Sequence, residues 1–205
     1  PASIRPGTTS WSSASINAGI VGNGTLTTQV PLIVGTRQAG ATLTAVPGTW
    51  SPGTVTLSYQ WLRNGVTIAG ATSASYILVG ADSGTTISVR VSGTETGYNP
   101  ASTTSASTAS IAIGTLTTAV PTISGTAKVG VAVTANPGTW GPGTVGFTYK
   151  WMRGGVTIAG ATSASYTPVG ADSGLTLTVA VTGTELGFTP ATTTSAATAA
   201  IANGD

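Results

Sequence analysis

Residues 24–113 and 114–203 are one sequence written twice, with divergence. Trp50 aligns with Trp140, Trp61 with Trp151, Asp82 with Asp172 and Pro100 with Pro190, all at one offset and without a gap. Roughly two thirds of aligned positions are identical, far above what two independent units of one fold class share. A chain of 205 residues has room for one large domain or two small ones. The repeat decides for two. It predicts an N-terminal arm over 1–23, a first unit over 24–113 and a second over 114–205.

Each unit is organised around one stretch, Tyr59-Gln60-Trp61-Leu62-Arg63-Asn64-Gly65 in the first and Tyr149-Lys150-Trp151-Met152-Arg153-Gly154-Gly155 in the second. A short apolar run closed by an Asn-Gly or Gly-Gly pair reads as a strand entering a tight hairpin. A Trp in mid-strand carries more apolar area than any other side chain present, so Trp61 and Trp151 are the expected core pins between two sheets. Composition agrees. Charged residues make up 6% of the chain and there are 29 glycines, which suits many short strands joined by turns.

In the first unit we expect strands from Val30 to Val34, Ala41 to Val46 and Val55 to Arg63. A hairpin return follows from Val66 to Ala69, then a strand from Ser75 to Val79. Ile87, Val89 and Val91 alternate with Thr86, Ser88 and Arg90, the pattern of a half-buried strand. A final strand is expected from about Ser102 to Ala112. Asp82, in the corner Ala81-Asp82-Ser83-Gly84, is expected to cap backbone N–H groups. Arg63 and Arg153 are expected to lay their stems along the sheet.

The series Tyr59 to Gly65, then Ala69-Gly70-Ala71-Thr72-Ser73-Ala74-Ser75-Tyr76, then Asp82-Ser83-Gly84 resembles bacterial and phage immunoglobulin-like repeats. The likeness covers both copies. It implies an all-β fold of two tandem cysteine-free immunoglobulin-like β-sandwiches preceded by an extended N-terminal arm. It also implies a setting on a virion, on a bacterial surface or beside a secreted enzyme. Animal immunoglobulin domains differ in having a cysteine pair and a corner tyrosine after the Asp-Ser-Gly corner. Fold of this kind implies no particular ligand.

Thr8-Thr9-Ser10-Trp11-Ser12-Ser13-Ala14-Ser15-Ile16 reads like the last-strand segments Thr103 to Ile111 and Thr193 to Ile201. One such segment is therefore surplus. Either it adds to the open edge of another subunit or a base protein, or it is the remnant of a further repeat or a linker of similar composition. Trp11 and Ile16 are its candidate docking residues, because Trp11 stands where the other two segments have Ala106 and Ala196.

Several function classes lose their residues outright. Without His or Cys, neither Ser-His-Asp nor Cys-His catalysis can be assembled, nor the usual zinc site. The acids are Asp82, Glu95, Asp172, Glu185 and Asp205, one Asp and one Glu per unit where a glycosidase needs a facing pair. No cofactor or metal is expected, and no catalytic residue. A net charge of +2 supplies no basic face for nucleic acid. No apolar run reaches the ~18 residues of a membrane span. No signal-peptide pattern is visible, and Pro1 is expected to follow either a removed leader or a removed initiator Met.

The expected partners are other virion or surface-assembly proteins, in a homo-oligomeric or multi-copy arrangement at a virion surface. The alternative is a secreted bacterial adhesin or filament subunit at the cell surface. A third reading is a carbohydrate-binding accessory module. For that, Tyr98, Phe188, Trp50 and Trp140 are the candidate contact aromatics, since an aromatic face complements the CH-rich face of a sugar. Trp50 and Trp140, each after a Pro-Gly-Thr turn, are read in preference as caps on the end of the core, and Tyr98 and Phe188 as exposed loop residues or loop plugs.

Overall fold

The computed structural model describes residues 22–204, so the expectations placed on Trp11, Ile16 and the rest of the arm lie outside the described residues. The first repeat opens with β1 (Gly24–Thr25), β2 (Thr27–Thr28), β3 (Leu32–Gly35) and β4 (Thr42–Val46). It continues with β5 (Trp50–Ser51), β6 (Thr56–Arg63), β7 (Val66–Thr67) and β8 (Ser75–Ile77). It closes with β9 (Ile87–Thr94), β10 (Tyr98–Asn99) and β11 (Ala101–Thr104). One sheet has the order β3-β4-β8 and the facing sheet β11-β9-β6-β7. That division is the immunoglobulin-type sandwich topology.

The second repeat runs β12 (Gly114–Thr115), β13 (Thr122–Ser124), β14 (Val133–Asn136), β15 (Gly146–Arg153) and β16 (Val156–Thr157). Then come β17 (Ser165–Tyr166), β18 (Leu177–Thr184), β19 (Phe188–Thr189) and β20 (Ala191–Thr194). Its sheets, β13-β14-β17 and β16-β15-β18-β20, copy the first pair. Among the described residues every strand pairing joins partners of the same repeat.

The hairpin between β6 and β7 forms because both turn residues take positive φ, Asn64 at 47° and Gly65 at 78°. That is the backbone a two-residue turn needs to match strand twist. Opposite Trp61 in the ladder stands Val89. Trp61 and Trp151 are fully buried, each within the larger core cluster of its repeat. Their indole N–H groups are satisfied at 2.9 Å by the carbonyls of Ser73 and Ser163. Removing roughly 200 Å² of indole from water contributes about 5 kcal/mol per repeat before ordering costs.

The last strand is shorter than the sequence predicts. Regular pairing with β9 stops at Thr104, and two hydroxyls take over from the main chain. Ser105 Oγ accepts from the Val89 N–H at 3.0 Å and Thr108 Oγ1 from the Ile87 N–H at 3.0 Å. Meanwhile the N–H groups of Ser105 and Thr108 donate to the carbonyls of Val89 and Ile87. Two residues of β9 thus answer four of the departing segment, a bulge held by side chains. Ser195 and Thr198 repeat the arrangement against Val179 and Leu177.

Candidate functional site

The aspartate of each repeat is locked into structure. Asp82 is fully buried, and its Oδ1 accepts from Arg63 Nε at 2.7 Å. Its Oδ2 accepts from Tyr76 Oη at 2.9 Å and from the Val79 N–H at 2.7 Å. The backbone cap expected at the corner is present. The arginine goes further than expected: instead of only lying along the sheet, it turns its head onto the carboxylate, because a buried anion must be paired. Tyr76 also stacks on Trp61 with ring centroids 5.8 Å apart, so the ion pair and the core pin are one unit.

Burial, then the hydrogen bond to Asp82 and its negative charge, push the Tyr76 phenol up to about 12. The hydrogen bond to Asp82 chiefly, with its charge, raises Arg63 against the opposing effect of burial. In the second repeat Asp172 takes Arg153, Tyr166 and the Val169 N–H in the same roles. There burial works to raise the carboxyl, yet the bonds from Arg153, Val169 and Tyr166 outweigh it and hold the group below its ordinary value. Neither carboxylate has an oxygen left over for a substrate proton. Among the described residues no group of acids could hold a metal ion.

The aromatics proposed for sugar contact are placed otherwise. Trp50 and Trp140 are both buried, with their indole N–H groups donating to the Pro47 and Pro137 carbonyls. They cap the core, packed over Gly93 and Gly183, where no side chain would fit. Phe188 is 5% exposed, with Gly114 of its own repeat close against the ring and Gly40 of the first repeat beside it. Tyr98 is half-buried with its ring against Gly24. Short parallel ladders, β1 with β10 and β12 with β19, bring Gly24 onto Tyr98 and Gly114 onto Phe188. Trp50 and Trp140 thus take the capping place that their Pro-Gly-Thr turns suggest, Phe188 is a loop plug, and Tyr98 is half-buried.

What the sequence reading missed is the outer face of β3-β4-β8. Leu32 (65% exposed), Val34 (49%), Val46 (41%) and Ile77 (62%) project to solvent from it. Register brings them together: Leu32 stands opposite Val46, Val34 opposite Thr44, and Thr42 opposite Ile77. No charged residue lies among the outward positions of these three strands. In the second repeat the same positions are Thr122, Ser124, Asn136 and Thr167, all exposed. The signal was available as four apolar-to-polar differences between otherwise similar copies. It was invisible as a cluster until the register was known.

No family model matches the chain, and no curated protein matches it. Among solved structures it is similar to the tandem Ig repeats of Dlar, at 13% identity, covering 84% of this chain and 93% of that one, with a TM-score of 0.24. It is also similar to the FN1-FN3 domains of chicken CNTN1, at 14% identity over 89% of this chain and 67% of that one, with a TM-score of 0.27. The fold stands on the strand pairings themselves. By those pairings the chain is an all-β protein of tandem, cysteine-free, immunoglobulin-like β-sandwiches.

Proposed function

We propose that this chain is a non-enzymatic structural component of a surface assembly, a virion surface being the setting we favour. In this reading the first repeat seats on the assembly through the outer face of β3-β4-β8, and the second projects from it. The observation that carries the reading is the asymmetry of two near-identical repeats. A soluble sheet face normally alternates apolar-in and polar-out, as the second repeat does. The first repeat departs from this at Leu32, Val34, Val46 and Ile77. Leu32 and Val46 are paired across strands, and Val34 and Ile77 are set beside threonines of β4; exposed apolar residues gathered on one uncharged face mark a contact surface. The engagement of Asp82 and Asp172 in buried ion-pair clusters supports a structural role for these two acids. The burial of Trp50, Trp140 and Phe188 weighs toward a protein partner over a glycan.

The second repeat supplies the test, since it shows which polar residues these positions accept. The variant Leu32→Thr, Val34→Ser, Val46→Asn, Ile77→Thr gives the first repeat the outer face of the second. It is expected to fold with unchanged circular dichroism and to lose co-sedimentation with purified particles. Full attachment by the folded variant would sink the reading.

A further inference from the structure

The junction between the repeats is built from two unlike surfaces. On the first repeat, Ala39, Gly40 and Gly80 form a socket. On the second, Pro142 and the loop Glu185-Leu186-Gly187-Phe188 form a knob. A Cβ at Gly80 would fall on the Leu186 carbonyl oxygen, and one at Gly40 would sit 3.4 Å from both Phe188 and Pro142. Gly80 has no left-handed backbone to explain it, so the approach of Leu186 is what requires glycine there.

The socket recurs on the second repeat as Val129, Gly130 and Gly170, with nothing among the described residues against its glycines. A Cβ at Gly170 or Gly130 would meet no atom within 4 Å. Gly170 takes no left-handed φ either, so neither backbone nor packing within the chain calls for glycine at that position. The knob recurs on the first repeat as Pro52 and Glu95-Thr96-Gly97-Tyr98. There Gly97 is exposed and Tyr98 half-buried, whereas the docked Gly187 is half-buried and Phe188 buried. Each free end therefore carries the half that the other lacks.

We propose that a second copy of this chain docks end to end, seating its Glu95–Tyr98 loop on the Val129, Gly130 and Gly170 socket. The contact continues an interface already present inside each molecule. It joins unlike surfaces, so it propagates and does not close as a two-fold pair. The internal contact at this point is made by the backbone of Leu186 and Gly187, with Leu186 itself 74% exposed, so Thr96 in its place does not obstruct docking. Without a covalent link the contact is expected only at high local concentration, as on a crowded surface.

Sedimentation equilibrium of the full chain over a wide concentration range tests this. The wild type is expected to show open-ended association. Gly170→Val is expected to lower the association constant at least tenfold with unchanged thermal unfolding. A wild type that stays monomeric throughout would overturn the proposal, as would equal association by wild type and Gly170→Val. The variant with the polar outer face must still associate; if it does not, the contact runs through that face and the end-to-end proposal is wrong, whatever its effect on particle attachment.

Discussion

Gly80 and Leu186 meet backbone to backbone across the boundary between the repeats, with no space between them for a single methyl group. Steric exclusion at one atom thus bears on how the two sandwiches sit together. The expected result for Gly80→Val is a changed inter-repeat distance, read by small-angle scattering or by paired spin labels. Gly80 lies outside both core clusters of its repeat. Its loss of stability is therefore expected to stay within the about 0.5 kcal/mol typical of surface changes. A scattering profile identical to wild type would show that the junction yields elsewhere.

Removing Asp82 tests how much of the first repeat hangs on one carboxylate. Asp82→Ala strands the Tyr76 hydroxyl and the Val79 N–H, and leaves Arg63 without its anion. Breaking a buried pair costs about 3–5 kcal/mol, and Arg63 is 30% exposed, so water recovers part of that. The expected loss is about 3 kcal/mol in urea unfolding. A loss under about 1 kcal/mol would mean that the cluster is decorative.

Much of this architecture could be read before any coordinates. The gapless repeat, the buried Trp61 and Trp151 and the Asn64-Gly65 hairpin follow from periodicity and turn chemistry, which are local. The Asp82 corner was legible only in part. Its backbone cap is three residues away, but Arg63 lies on the far side of a sandwich and only pairing of the sheets brings it near. The same limit explains the aromatics. Phe188 is covered by Gly114 of its own repeat and by Gly40 of the other, both far from it in sequence. The outer apolar face depends on register between three strands, which no single stretch encodes.

Titration singles out Asp172 in the second repeat and Tyr76 in the first. Asp172 is held below its usual value of 3.8, so the folded state binds its proton less readily than the unfolded chain. The contribution is complete above pH 3.8 and is lost as pH falls through the lower, folded value. Asp172→Asn is expected to flatten the acid limb of stability against pH, measured by urea unfolding at a series of pH values. Tyr76 works in the opposite sense. Its phenol is raised from 10.0 to about 12, so its contribution is complete below pH 10 and is lost as pH rises toward 12. Phenolate absorbance should show Tyr76 ionising last, and Tyr76→Phe should remove that late step.

Ser105 carries a prediction that its exposed, serine-rich segment would not suggest. Its Oγ is the acceptor for the Val89 N–H on a buried strand, so Ser105→Ala leaves that donor unpaired. The cost of a buried unsatisfied group is about 1–3 kcal/mol. Ser107, two residues on and exposed, is the matched control and its alanine variant should be silent. Amide exchange at Val89 should rise in Ser105→Ala only.

Tyr98 decides between the surface role proposed from sequence and the packing role the fold assigns. Its ring lies against Gly24 and joins the small cluster of Leu26, Trp50 and Val91. Tyr98→Ala therefore removes partly buried apolar area next to a two-residue ladder that has little else to hold it. A loss of about 1–3 kcal/mol is expected in thermal or urea unfolding. Glycan binding should be no different between the variant and the wild type on the same array. Should a sugar bind the wild type and fail to bind a stably folded Tyr98→Ala, the ring must leave Gly24 to meet its ligand. The top of the first repeat would then be a binding surface and not a plug.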